Sequence, residues 1–189
     1  MTDQLLNAIR AKFPLHEIDA GSFSKLKAKG MKFDVHAYEA KGLGHVSVMR
    51  ASGMLGMMKM DTLIIELYDT TVEPLKYDAL EAVNAANRSL PERDPGTHWY
   101  DSIKLKESVS KKGKKLTAQF DAYTKAYTDA YLNLPAKPVT DPKTKREKTD
   151  AYVEGLLKNG GPSTDVFKQA LGETRTRELF SRVLFGTSR

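Results

Sequence analysis

The strongest constraint in this chain is a change of hydrophobic period at Pro74. Before it, apolar residues alternate or come in short β-rich runs. After it, they recur every three or four positions. A strand puts neighbouring residues on opposite faces, whereas a helix puts i and i+4 on one face, so one element cannot serve both periods. Strands first and helices afterwards disfavour an alternating βαβ chain. They specify an α+β fold, an antiparallel sheet covered by helices.

The elements follow from this reading. Leu5, Leu6, Ile9 and Phe13 share one face of a short helix that Pro14 ends. Residues 22–30 fit no single period. Phe33 to Glu39 and Val46 to Met49 read as strands, and Met57 to Tyr68 as another with Leu63, Ile65 and Leu67 on one side. A helix is expected at 75–88, a loop at 89–101, a short strand within 102–110 and a turn at 111–115. Leu116, Phe120, Tyr123, Tyr127, Tyr131 and Leu134 then step along one helix face until Pro135 stops it. After a proline-rich linker come a helix at 145–158, one capped by Ser163 and closed by Gly172, and a last one at 174–185. The β-rich part is thus 31–70 and the helical parts 75–88 and 116–185. A chain of 189 residues fits a single domain spanning 1–189.

Bulk properties exclude several classes. The chain has no cysteine, so disulfides, thiolate metal sites and cysteine nucleophiles are out, which fits a reducing cytoplasm. No run approaches the roughly 18 apolar residues of a membrane span, and the N-terminal segment lacks the apolar core of a secretory signal. The four histidines are scattered without zinc-helix spacing. No phosphate-binding glycine loop or G-x-S-x-G elbow occurs. The formal net charge of +6 admits an anionic small molecule, an acidic protein or a nucleic acid.

Three features suggest a binding surface. "GMLGMMKMD" at 53–61 brings Met54, Met57 and Met58 together beside two glycines. Methionine fills irregular core gaps, and it also conforms to flat ligands. Trp99 and Tyr100 precede the basic run KLKESVSKKGKK at 104–115, which holds six lysines against one acid, Glu107. Aromatics for a ligand's face and lysines for its carboxylates would suit a flat acidic molecule, with Lys104, Lys111 and Lys112 as carboxylate partners. Tyr123 and Tyr127 could pack on a sheet or line a pocket wall with their hydroxyls. Single-stranded nucleic acid could use the same aromatic and basic pairing, but no nucleic-acid-binding motif supports it.

The C-terminal stretch "GGPSTDVFKQALGETRTRELFSRVLFGT", with "FDAYTKAYTDAYLNL" before it, resembles the ending of ferredoxin-dependent bilin reductases. The likeness lies in a short helix at Phe167–Leu171, a Gly172-Glu173 step and a helix ending in Val183-Leu184-Phe185. It implies an α/β/α sandwich that holds an open-chain tetrapyrrole between the antiparallel sheet and the C-terminal helices. It also implies no permanently bound metal or flavin, with electrons arriving singly from an external donor such as ferredoxin. Protons would come from acidic and histidine side chains near the bilin. A basic surface would suit an acidic ferredoxin. No motif here matches the family's proton donors. Asp69, in "ELYDT", and His45, in a neighbouring strand, are candidates by position alone.

The leading expectation is a soluble, cytoplasmic tetrapyrrole-binding protein, with Met54, Met57 and Met58 facing Tyr123 and Tyr127 across the ligand. Two rivals stand beside it. One is a non-enzymatic basic module that binds an acidic protein or nucleic acid through 104–115. The other is a degenerate family member that keeps the fold without the chemistry.

Overall fold

The computed structural model describes residues 2–28, 31–40, 44–52, 61–73, 75–94, 96–135, 139–161 and 164–188. Met54, Met57 and Met58 lie outside the described residues. The chain forms two compact units, one from the described parts of Asp3–Ala8 and Leu55–Pro142, the other from Ile9–Met54 and Lys143–Arg189. Among the described residues all of the strand pairing is antiparallel, and the fold is α+β with its helices mostly in the C-terminal half.

The second unit is built on a long hairpin. Strands β3 (Met31–Ala40) and β4 (Gly44–Ser52) pair from Lys32↔Ser52 to Ala40↔Gly44. The other edge of β3 is shared by two short strands, β1 (Leu15–Ile18) opposite 37–40 and β2 (Lys25–Ala28) opposite 31–34. Between them lies a 3-10 turn, Gly21–Phe23. This resolves the ambiguous 22–30 segment as a turn followed by a strand. The four residues of β1 were too few, and too charged, to show a period. Along β3, Phe33, Val35 and Ala37 are buried while Lys32, Asp34 and His36 are exposed, the alternation of a one-sided sheet.

Helix α1 (Thr2–Lys12) comes first in the chain, and its Arg10 lies over the ring of Tyr38. Helices α4 (Pro142–Asn159) and α5 (Thr164–Glu178) complete this unit. Phe33 meets Phe167 with ring centroids 5.1 Å apart, and Phe167 meets Phe180 at 6.2 Å. α4 starts earlier than the spacing suggests because Pro142 occupies its first turn, where a missing N–H costs nothing. α5 is interrupted at Gly172 (φ 76°, ψ 167°), the position expected to close a helix, and ends in a π-helical segment, Leu179–Leu184. Two arginines of this last stretch fasten the 3-10 turn. Arg175 donates to Ser22 Oγ at 2.8 Å and Arg182 to the Asp19 carbonyl at 3.1 Å, and both lie over the Phe23 ring.

The first unit rests on a two-stranded ladder, β5 (Asp61–Ile65) against β6 (Val109–Gly113), covered by α2 (Asp78–Ala86) and α3 (Thr117–Leu132). Leu63, Leu80, Val109, Phe120, Tyr123 and Tyr127 form its core. Each such fully buried side chain contributes about 1.5–3 kcal/mol. The expected strand within 102–110 is mostly absent. A 3-10 turn at Trp99–Ser102 leads into chain that touches the sheet only through an isolated bridge at Lys104, and the continuous ladder begins at Val109. β6 instead runs into the segment read as a turn. Its inward residues are Val109, Lys111 and Gly113, and a buried lysine disguised the alternation.

Gly172 has φ in the left-handed region, and a Cβ there would meet nothing within 4 Å, so only the backbone resists substitution. With ψ at 167°, this is a conformation essentially confined to glycine, and Gly172→Ala is expected to lower stability by about 1–3 kcal/mol, read as an earlier midpoint in urea unfolding.

Candidate functional site

The ladder of the first unit has two unlike faces. Leu63 is buried, and Ile65 and Leu67 pack against the core that α2 and α3 cover. By the period of a strand, Ile64, Glu66 and Tyr68 turn the other way. Pairing continues past β5, since Leu105 N–H donates to the Leu67 carbonyl at 2.8 Å and Tyr68 bridges Lys104. On β6, Ser110 stands opposite Ile64 and Lys112 opposite Thr62, which places both on the same outer face. The segment 91–93 runs along the far edge of β6. Arg93 N–H donates to the Ser110 carbonyl, and the Arg93 guanidinium reaches Ser110 Oγ at 3.3 Å.

This outer face combines an apolar centre with charge. Ile64 is 48% exposed, which is unusual for isoleucine in a strand. Arg93 and Lys112 make no ion pair among the described residues. Glu66 is half-buried and accepts a hydrogen bond from the Tyr68 hydroxyl at 2.7 Å. Tyr68 meets Tyr100 edge-on at 5.5 Å. The face therefore offers two cations, a carboxyl and an apolar floor, the inventory for a flat ligand with carboxylates.

The residues singled out by sequence fall in different places. Lys112 is exposed on the outer face. Lys111 points the other way, is 5% exposed, and donates to the Leu90 carbonyl at 3.1 Å and to Glu92. Lys104 binds Asp101 at 2.8 Å. Tyr123 and Tyr127 lie in the core, where their hydroxyls donate to Asn84 Oδ1 at 2.8 Å and to the Glu107 carbonyl at 2.9 Å. Their stripe faces inward because a helix over a sheet must bury its apolar face, and the hydroxyls find partners within the chain. Asp69 is exposed just beyond the ladder and accepts from Thr71 Oγ1 at 3.4 Å. His45 stands opposite Glu39 in the β3–β4 register.

Trp99 and Tyr100 occupy the 3-10 turn that borders the face. Asp101 fastens this turn, accepting from the His98 N–H at 2.8 Å and from Lys104, and the Lys104 hydrogen bond holds its carboxyl below the usual range. Tyr100 is fully buried, stacked on His98 at 4.7 Å and edge-on to Trp99 at 5.4 Å. Burial, with the negative charges of Glu66 and Asp101, pushes its phenol up to about 12. Elsewhere in the unit, a cleft of about 310 Å³ opens between α1 and α3, its walls including Leu5 and Ala8 on one side and Asp121, Thr124 and Lys125 on the other. It contains none of the residues singled out by sequence.

Sequence reasoning did not nominate Ile64, Glu66, Tyr68 or Arg93. For the first three a signal existed. The alternation that put Leu63, Ile65 and Leu67 inside assigns their neighbours to the outside. Arg93 had no such signal, because only its pairing with Ser110 brings it to the face.

No family model matches the sequence, and no curated protein matches it. Among solved structures the chain is similar to a bilin protein, phytochromobilin synthase from tomato, solved in complex with biliverdin. The two share 13% identity, the match covers 98% of this chain and 82% of that one, and the TM-score is 0.70. The likeness establishes the fold. It agrees with the resemblance carried by the C-terminal helices.

A phenol held up at about 12 keeps its proton in the folded state after the unfolded chain, at 10.0, has lost it. Stability is therefore expected to fall as pH rises from 10 through 12. Tyr100→Phe should flatten that alkaline decline, as read by thermal unfolding at stepped pH.

Proposed function

We propose that this protein binds a linear tetrapyrrole of the biliverdin kind and reduces it with electrons from an external donor such as ferredoxin. The observation that carries the reading is a fold shared over nearly the whole chain with a protein solved with biliverdin in place. The outer face of β5 and β6 supports it chemically. Ile64 and Tyr68 offer apolar surface to the conjugated rings, while Arg93 and Lys112 are free to meet propionate carboxylates. Reduction of such a ligand consumes two electrons and two protons. The donor supplies the electrons one at a time, and the protons come from side chains or water. Asp69, just beyond the ladder, is a proton source in this proposal. The net positive charge favours an acidic electron donor by raising the encounter rate.

The basic-module reading fares less well in the same geometry. Of the lysines in 104–115, Lys104, Lys106 and Lys111 are paired with Asp101, Glu81 and Glu92 of this chain. Half of the run is thus engaged before any partner arrives.

Biliverdin added to the protein should shift and sharpen its visible absorbance, saturating at micromolar ligand. Lys112→Ala and Arg93→Ala should each weaken binding about tenfold or more, the size expected for one charge-assisted hydrogen bond. Absence of any spectral change would refute the proposal. Anaerobic incubation of the complex with reduced ferredoxin should then bleach the biliverdin band, and a stable band would confine the function to binding.

A further inference from the structure

We propose that the cleft between α1 and α3 binds a small organic cation, a primary ammonium on a short apolar body, with Asp121 receiving its charge. The site shares no residue with the outer face of β5 and β6, and it does not rest on the tetrapyrrole reading.

Short side chains create the space. Every residue lining the cleft belongs to the first unit. On α3 the lining positions are 121, 124, 125, 128 and 129, one stripe at helical spacing, beside the buried stripe of Phe120, Tyr123 and Tyr127. On α1, Leu6 and Ile9 are buried, whereas Leu5 and Ala8 are only half-buried and form part of the cleft wall. Ala8 on one helix, with Thr124 and Thr128 on the other, are too small to close the gap. About 310 Å³ is left, at the lower end of the roughly 300–1,000 Å³ that small-molecule sites occupy. Leu5, Ala8 and the threonine methyls give the ligand's apolar body a surface to rest on.

The polar groups set the sign of the ligand. The Thr124 hydroxyl is used within the helix, donating to the Phe120 carbonyl at 2.8 Å. Lys125 lies one helical turn after Asp121 and one before Asp129, within reach of either acid. It is committed to Asp129, at 2.6 Å. Asp121 is half-buried and is left without an ion pair or hydrogen bond among the described residues. Because Lys125 and Asp129 cancel, the lining carries one net negative charge in a chain whose formal charge is +6.

An anion is repelled by that carboxylate, and a neutral ligand would desolvate it without compensation. An ammonium does neither. Its three N–H groups are donors only, and the lining offers acceptors in the Asp121 carboxylate, the Thr128 hydroxyl and the Asn7 amide oxygen. Among the described residues no group of three metal-ligating side chains exists, so the donor set suits an organic cation rather than a metal.

The test is a titration of the full chain with n-butylammonium chloride at constant ionic strength, followed by amide NMR. Shifts should saturate at millimolar ligand and be confined to residues 4–8 and 121–129. n-Butanol, which keeps the apolar body and lacks the charge, should bind about tenfold more weakly or not at all. Asp121→Asn should weaken butylammonium binding about tenfold or more, the size expected for one hydrogen bond to a charged group. Ala8→Leu, which fills the cleft and keeps the carboxylate, should abolish the saturating shifts, and it decides the matter if the asparagine variant fails to fold. Shifts that rise linearly without saturating, or that spread over exposed acids elsewhere in the chain, overturn the proposal. So do butanol binding as tight as that of butylammonium and undiminished binding in either variant.

Discussion

A two-residue period cannot put consecutive side chains on the same side of a strand, and the first unit depends on that. Once Leu63, Ile65 and Val109 are committed to the core under α2 and α3, Ile64, Glu66, Ser110 and Lys112 have nowhere to go but the opposite face. A one-residue slip would expose the first set and bury a carboxyl and an ammonium together. The cost of such a slip fixes the register, and the register fixes which chemistry faces outward.

Much of the architecture was legible from the chain alone. The helical stripe from Leu116 to Leu134 became α3, its tyrosines inside, and the turn glycine foreseen at position 172 adopts the left-handed conformation that breaks α5. The antiparallel hairpin of β3 and β4 follows the alternation of Phe33 to Glu39. These signals were readable because each element repeats its pattern over several turns or residues.

What was not legible depended on partners distant in sequence. Lys111 counts as a solvated charge in any composition-based reading. Its burial becomes tolerable only because the Leu90 carbonyl and Glu92 arrive from the segment 90–92. Lys106 likewise loses its apparent freedom to Glu81 on α2, an acid that the primary order does not announce. The basic run was therefore the most conspicuous feature of the sequence and the least informative about the site. Glu66 carries no signal of its own in the sequence, because the alternation there is set by Ile65 and Leu67 on either side of it.

The divided edge of β3 has a consequence for the protein in solution. An unbroken outer strand would present a row of unpaired amides and carbonyls on which another copy could stack. Here that edge is occupied by two four-residue strands separated by a turn, with Arg175 and Arg182 holding the turn in place. Neither piece is long enough to template the addition of a further strand. The interruption that made residues 22–30 hard to read thus guards this edge of the sheet against the addition of a further strand.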